Sequence, residues 1–105
     1  MKVQSVEVLQ ADAGYRPYSF VKIQTDAGLV GWSEFAPAMG NPGTIAGIEW
    51  MGAALVGEDL RMTGALISKL NLMTHTTPGG VATHARGAIV NALLDIAGKA
   101  AGVPV

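Results

Sequence analysis

The last predicted helix constrains the fold of this chain more than any other stretch. Residues His84 to Val105, HARGAIVNALLDIAGKAAGVPV, predict one long helix followed by a short extended tail. Gly102 can adopt the left-handed conformation that ends a helix, and Pro104 prevents the helix from continuing. Lys99 suits the negative end of the helix and stands four residues after Asp95, the spacing of a helical ion pair.

This helix has two faces that both need a cover. At about 100° per residue, apolar side chains fill one broad side, and small or polar residues fill the opposite one. The first side contains Ala82, Ala85, Arg86, Ile89, Val90, Ala92, Leu93, Ile96, Ala97 and Ala100, and the second contains His84, Gly87, Asn91, Asp95 and Gly98. A solvated face usually carries long charged side chains, and an interior glycine costs about 1 kcal/mol relative to alanine. We therefore expect a second body to pack closely on the glycine-bearing side; an ordinary soluble helix is the alternative.

The rest of the chain predicts strands first and helices afterwards. Strand patterns cover residues 2–10, 18–25 and 29–35, and the last two form a hairpin across a turn that ends at Gly28. Helices are predicted over 44–56 and from Asp59 to about Met73. Segregated strands and helices predict an α+β fold, a three-stranded antiparallel meander (1–35) followed by three helices (44–101).

Capping residues set the expected limits of the first two helices. Thr44 is the predicted N-cap of the first, Gly57 ends it, and Asp59 caps the second. The expected inward stripes are Ile45, Ile48, Met51, Gly52 and Leu55 in the first helix, and Met62, Leu66, Leu70 and Met73 in the second.

Composition excludes several classes of function. The 105 residues are 50% hydrophobic and 14% charged, which favours one packed domain over disorder. The net charge of −1 and the absence of a Lys/Arg run argue against nucleic acid as a partner. No apolar run approaches the roughly 20 residues of a membrane span. The chain has no cysteine, which fits the reducing cytoplasm.

Conventional catalytic and metal-binding motifs are scarce. His75 and His84 are nine residues apart and have no cysteine companions, so structural or solvent-facing histidines are the better interpretation. Gly79-Gly80 precedes a helix but lacks a phosphate-binding lysine. The carboxylates are scattered over separate elements, and no pair is placed for acid–base chemistry. We predict no catalytic residue and no metal ligand in this chain.

Two loops offer better candidates for contact with a ligand. They cover residues 11–17 and 36–43, and the hairpin between them would place both near the same region of the sheet. Arg16 presents a planar fork that suits carboxylates, and Tyr15 and Tyr18 add amphipathic rings. Ordinary surface loops remain the alternative.

Three segments resemble motifs of the enolase superfamily, in the branch of mandelate racemase and muconate lactonizing enzyme. They are FVKIQTDAGLVGWSEF, ALVGEDLRM and AIVNALLDIAGKAAGVPV, which occur in the family's order and at its spacing. Ser33, Leu60, Asn91 and Leu94 depart from the family's usual residues but are compatible with its fold. The resemblance covers essentially the whole chain.

The resemblance implies an N-terminal α+β capping domain that precedes a modified (β/α)-barrel. In the family, the barrel carries three carboxylate ligands for Mg²⁺ and the acid–base residues that remove the proton next to a substrate carboxylate. Residues 102–105 would then begin the connection to a barrel that this sequence does not include, and the second face of the last helix would meet that barrel. The family's two capping loops match Ala11–Ser19 and Ala36–Gly43 by position. Tyr15, Arg16, Tyr18, Met39 and Asn41 are accordingly the candidates for contact with substrate, in a specificity role rather than a catalytic one.

Among the family's reactions we favour dehydration of a sugar acid, because Arg16 and the polar loop tips suit a hydroxylated carboxylic acid. Racemisation, epimerisation and cycloisomerisation are the alternatives within the family. A stand-alone binding or self-assembly domain is the alternative of a different class. We further expect a cytoplasmic protein that forms homo-oligomers, and no turnover by residues 1–105 alone.

Overall fold

A computed structural model of the chain describes residues 1–12, 17–35, 43–75 and 80–102. It contains an antiparallel sheet of order β1-β2-β3, followed by three α-helices and a short 3-10 turn. The elements are β1 (Val3–Asp12), β2 (Pro17–Thr25), β3 (Val30–Phe35), α1 (Gly43–Leu55), the 3-10 turn (Leu60–Met62), α2 (Thr63–Thr74) and α3 (Gly80–Ala101). The predicted α+β fold class is confirmed.

The helices pack on one face of the sheet, as the alternation in β2 predicts. Val21 and Ile23 are completely buried against the helices, whereas Phe20 lies on the other face. The irregular alternation in β1 also has a cause: the pairing register shifts between Val3 and Ser5, so that apolar residues on both sides of the shift reach the core. Each large side chain that is fully buried contributes about 1.5–3 kcal/mol to folding.

The two predicted glycine turns are confirmed. Gly28 ends the β2–β3 turn at φ +83°, and Gly57 ends α1 at φ +88°, a conformation that residues with a side chain rarely adopt. The stretch after α1 then pairs with the start of β1. The N–H of Val3 donates to the carbonyl oxygen of Glu58 at 2.9 Å, and the N–H of Gly57 donates to the carbonyl oxygen of Val3 at 2.8 Å. The first strand is thereby joined to the connection between two helices.

Two details of the helices differ from the sequence prediction. Thr44 lies inside α1 and is buried, so it is not the N-cap, and Ile45 is only half-buried. Asp59 caps the 3-10 turn rather than α2, and its carboxylate accepts the N–H of Arg61 at 2.9 Å. Because this turn precedes α2, Met62 points outward and is 63% exposed, and Leu60 is buried instead.

The longest described helix, α3, binds part of the free edge of β3 with a pair of charged side chains. The carboxylate of Asp95 accepts the backbone N–H of Trp32 at 2.9 Å. Lys99 donates to the backbone carbonyl of Val30 at 2.6 Å and forms an ion pair with Asp95 at 3.0 Å. We call Asp95 and Lys99 the edge clamp. The i,i+4 pair predicted from the sequence is therefore present, but it binds a strand rather than facing water.

Close packing of α3 on β3 supports the edge clamp. A Cβ atom added at Gly31 would lie 2.5 Å from the carbonyl oxygen of Ala92 and would overlap the side chain of Ile96. The hydroxyl of Ser33 donates to the carbonyl oxygen of Ala88 at 2.6 Å. Glycine at position 31 therefore permits the approach of the helix that brings Asp95 within reach of the strand.

The prediction that the second face of α3 is uncovered is only partly correct. His84, Gly87 and Asn91 are exposed as expected, but Asp95 is half-buried at the strand and Gly98 is buried. The cause is β3, whose edge lies beside the helix and covers part of the side that the residue pattern assigned to a second body. The left-handed end at Gly102 is confirmed, with φ +72°.

Acid should weaken the edge clamp. The N–H of Trp32, and next the ammonium of Lys99, lower the pKa of Asp95 below its ordinary value. A carboxyl whose pKa is lower in the folded state contributes stability above its unfolded pKa, and this contribution is lost as the pH falls through the folded value. We expect Asp95→Asn to lose about 1 kcal/mol at pH 7, and the difference from wild type to shrink below about pH 4. Urea denaturation between pH 7 and pH 2 measures this difference in the free energy of unfolding, with Glu49→Gln as the control. A difference that does not change with pH would contradict the stabilising role of the Asp95 carboxylate.

Replacing Gly31 should be costly. Gly31→Ala places a methyl group against Ala92 and Ile96, and we expect the free energy of unfolding to fall by about 1–3 kcal/mol. Gly64→Ala is the matched control, because a Cβ at Gly64 meets nothing within 4 Å, and a helical alanine gains up to about 1 kcal/mol over glycine. Both variants are measured by urea denaturation; equal stability of the two would show that α3 does not approach β3 this closely.

Candidate functional site

Both candidate loops are attached at the same end of the sheet. β1 ends at Asp12, which pairs with Pro17, and β3 ends at Phe35, which pairs with Ser19 near the start of β2. Residues 13–16 and 36–42 themselves lie outside the described residues. The β2–β3 turn at Gly28 lies at the opposite end of the sheet, so the two attachment points share one end, as the hairpin predicted.

Of the five candidate substrate-contact residues, the structure places one. Tyr18 is the second residue of β2, is half-buried, pairs with Ala11 and lies on the sheet face away from the helices, at the end that carries the loops. Tyr15, Arg16, Met39 and Asn41 lie outside the described residues, so their contact with a substrate stays a prediction.

A groove opens at the same end of the sheet, between the end of β3 and the N-terminal half of α3. Its volume is 360 Å³. We call it the α3 groove, and its described lining consists of Glu34, Phe35, Thr83, His84, Gly87, Ala88 and Asn91. It includes all three residues of the predicted second face that are exposed, so the glycine-bearing side of α3 forms one wall of a concave surface.

The described lining of the α3 groove combines apolar and polar groups. Phe35 and Ala88 provide apolar surface, and Glu34, His84 and Asn91 provide polar groups. Within the described residues, these three polar side chains form no hydrogen bond or ion pair with one another or with other groups. This mixture of apolar surface and available polar groups suits contact with another polypeptide.

The described residues do not fit the Mg²⁺ ion that the resemblance implies. Among them, no three His, Asp or Glu side chains are grouped closely enough to hold a metal ion. The best-ordered carboxylates are already engaged: Asp95 binds Trp32 and Lys99, and Asp59 forms an ion pair with Arg61 at 2.8 Å. Hydrogen bonds from Arg61 hold the pKa of Asp59 well below its ordinary value. These carboxylates serve the fold, and we place no catalytic step on them.

Apolar side chains are also exposed outside the groove. The large ones that are exposed in the described part of the chain are Leu9, Trp32, Trp50, Val56, Met62, Leu72 and Leu94. On the outer sheet face the ammonium of Lys22 lies 5.6 Å from the centre of the Trp32 ring, within the range of a cation–π contact. Among the described helices, none combines the length and the hydropathy that a membrane span requires.

The sequence pattern indicates the helical wall of the α3 groove but not the wall that the end of β3 forms. The helical pattern identified His84, Gly87 and Asn91, but it contained no signal that Glu34 and Phe35 would face them. Ser33 is the residue that could have pointed to this arrangement, because a polar side chain on the inward face of a strand needs a partner, and here the partner is a carbonyl of α3.

Comparison with known proteins agrees with this geometry. The chain matches the family described as "Mandelate racemase / muconate lactonizing enzyme, N-terminal domain" over residues 4–105. A D-galactonate dehydratase of Variovorax paradoxus (strain S110) is 36% identical over 90 residues, which are 84% of this chain and 23% of that protein.

Solved structures give the same result. A provisionally named L-alanine-DL-glutamate epimerase from Burkholderia xenovorans strain LB400, bound to magnesium and fumarate, superimposes with a TM-score of 0.87 and 45% identity over 95% of this chain and 25% of that one. The 3,6-anhydro-D-galactonate cycloisomerase of Zobellia galactanivorans gives a TM-score of 0.80 and 28% identity over 96% of this chain and 29% of that one. The chain thus spans about a quarter of the length of these relatives. It belongs to the mandelate racemase/muconate lactonizing enzyme family, as an N-terminal domain of that family.

Proposed function

We propose that this domain caps the substrate site of a Mg²⁺-dependent enzyme that removes the proton next to a carboxylate. The observation that carries the proposal is the family match over residues 4–105, made by a chain that spans about a quarter of its relatives' length. The metal ligands and the acid–base residues would then lie on a partner barrel domain. The absence of a metal cluster among the described residues is compatible with this division of roles.

The α3 groove supports a docking role for this domain. An exposed helix face with Gly87, Asn91 and His84 lets another backbone approach closely and offers it hydrogen-bonding groups. The groove and both loop attachments lie at one end of the sheet, so a barrel packed on α3 would bring its mouth near both loops. We propose that Tyr15, Arg16, Tyr18, Met39 and Asn41 face the substrate there and select it.

The proposed substrate is a sugar acid, and the proposed reaction is its dehydration. Arg16 supplies a fork for the carboxylate, and Asn41 supplies an amide for hydroxyl groups. The dehydratase activity named for the Variovorax relative supports this choice, whereas the names of the two structural relatives keep epimerisation and cycloisomerisation as alternatives. Homo-oligomers are part of the proposal, since several exposed apolar side chains could lie in an interface between copies. The cytoplasmic location stays a prediction.

A chimeric enzyme tests the proposal. In this chimera, the present chain replaces the N-terminal domain of the Variovorax D-galactonate dehydratase. We expect an assembled chimera to dehydrate D-galactonate or another sugar acid in the presence of Mg²⁺, and the isolated chain to show no turnover. A chimera that assembles but converts no member of a sugar-acid panel would contradict the proposed function, and so would turnover by the isolated chain.

Loss of Arg16 should impair the chimera selectively. Arg16→Ala removes a charge-assisted hydrogen bond to the substrate, worth about 1.5–3 kcal/mol, so kcat/KM should fall by roughly 10- to 100-fold. Arg61→Ala is the matched control, because Arg61 is an exposed arginine paired with Asp59 on the 3-10 turn. Equal activity of the two variants would contradict the proposed contact between Arg16 and the substrate.

Gly87→Ala should act in opposite directions in the isolated chain and in the chimera. A Cβ at Gly87 meets nothing within 4 Å in the described structure, so alanine should stabilise the isolated helix by up to about 1 kcal/mol. Against a docked barrel, the same methyl group should hinder close packing and lower the unfolding temperature of the chimera. Gly64→Ala, on α2, is the control that should stabilise both proteins. If Gly87→Ala stabilises both as well, no backbone packs against this face.

A further inference from the structure

The free edge of β3 can be assigned residue by residue. The N–H of Thr25 donates to the carbonyl of Leu29 at 3.1 Å, which makes these two residues a hydrogen-bonded pair of the hairpin. Hydrogen-bonded and non-bonded pairs alternate along an antiparallel ladder. The register then makes Val30, Trp32 and Glu34 the residues whose backbone groups point away from β2.

The edge clamp closes only part of this edge. Asp95 accepts a hydrogen bond from the N–H of Trp32, and Lys99 donates one to the carbonyl oxygen of Val30. Two residues further along, the N–H and the carbonyl of Glu34 point in the same direction. No other described residue forms a hydrogen bond with them. Glu34 therefore presents a free backbone donor and acceptor together.

This free position lies in the α3 groove. α3 contacts the strand at Ser33 and Ala88, and the groove opens beyond that contact between Glu34 and the exposed face of the helix. Gly87 and Ala88 have no side chain or a small one, so the helix leaves room for a polypeptide backbone beside the strand. Phe35 adds apolar surface for a side chain of that segment.

We propose that the α3 groove is a β-edge docking site, in which an extended segment of the barrel domain adds to β3 and exchanges backbone hydrogen bonds with Glu34. This inference rests on the proposed function, and it specifies how the two domains recognise each other. A donor and an acceptor on one strand residue are satisfied together by the facing residue of an added strand. The interior of a helix cannot supply this pair, because its backbone groups are bonded internally, and each helix end leaves only donors or only acceptors free.

The remaining length of the relatives supports the barrel domain as the source of the segment. About three-quarters of each structural relative lies outside the region that matches this chain. The proposed barrel domain therefore has ample chain to supply one extended stretch. His84 and Asn91, which line the other wall of the groove, can bind polar groups on its far side.

Amide hydrogen exchange tests the inference in the isolated chain and in the chimera. The amide of Ser33 bonds to β2 and that of Trp32 bonds to Asp95, so both should be protected in both proteins. The amide of Glu34 should exchange at a nearly unprotected rate in the isolated chain and at least 100-fold more slowly in the chimera. Unchanged exchange at Glu34 in an assembled, active chimera overturns the inference and leaves the proposed function intact. A chimera that does not assemble removes both.

Two substitutions separate backbone docking from side-chain docking. Glu34→Pro removes the carboxylate together with the outward N–H, a loss that edge strands tolerate, whereas Glu34→Ala removes the carboxylate and keeps the N–H. We expect Glu34→Pro to lower the unfolding temperature of the chimera by several degrees more than Glu34→Ala does. Protected exchange at Ser33, whose amide bonds to β2, should show that the isolated variant keeps its sheet. Equal losses would mean that the carboxylate makes the contact. Concentration-dependent protection of Glu34 in the isolated wild-type chain would mean that a second copy is the occupant. Either result overturns the proposal.

Discussion

The hydrogen bonds between α3 and the edge of β3 fix how the two layers of this domain lie on each other. Apolar burial alone would allow the helix to slide or rotate over the sheet, because the hydrophobic effect has no preferred direction. Asp95 and Lys99 remove that freedom, since each binds a particular backbone group of a particular strand residue. Gly31 makes the arrangement possible by letting the helix approach. The position of the α3 groove follows from this contact, whereas the loop attachments follow from the register of the sheet.

The sequence predicted those parts of the fold that depend on neighbouring residues. The meander, the turn at Gly28 and the end of α3 at Gly102 are set by local propensities and by glycine's access to positive φ. The start of α2 was predicted wrongly, because the 3-10 turn that rotates Met62 outward depends on the burial of Leu60 against distant elements. Local pattern cannot supply such information.

The candidate site shows the same limit more sharply. A helical projection divides α3 into an inner and an outer side, and it assigned Asp95 to the outer one. It has no place for a strand that lies beside the helix and presents an unpaired N–H. For the same reason Glu34 could not be identified as part of the groove, since its role depends on which side of β3 carries β2. Its backbone, not its side-chain type, gives it that role.

The family assignment identifies this chain as an N-terminal domain, and its described carboxylates take part in the fold. Asp59 and Asp95 are each bound to a backbone N–H and to a cationic side chain. The described structure also presents one end of the sheet with two loop attachments and a groove. The proposed function gives this end the task of selecting and orienting a substrate that another domain transforms.

The edge clamp also sets the order in which the domain can be completed during synthesis. Its hydrogen bonds join residues 63 and 69 positions apart, whereas the β2–β3 turn joins residues only four apart. Local hairpins form within about 1–10 μs, but contacts between distant residues must wait for the intervening chain. When the three strands and the first two helices have emerged from the ribosome, the edge of β3 is still uncovered, because α3 comes last in the chain. Until Lys99 emerges, that edge is available to any other strand, so the final helix also serves the nascent protein as its protection against mispairing.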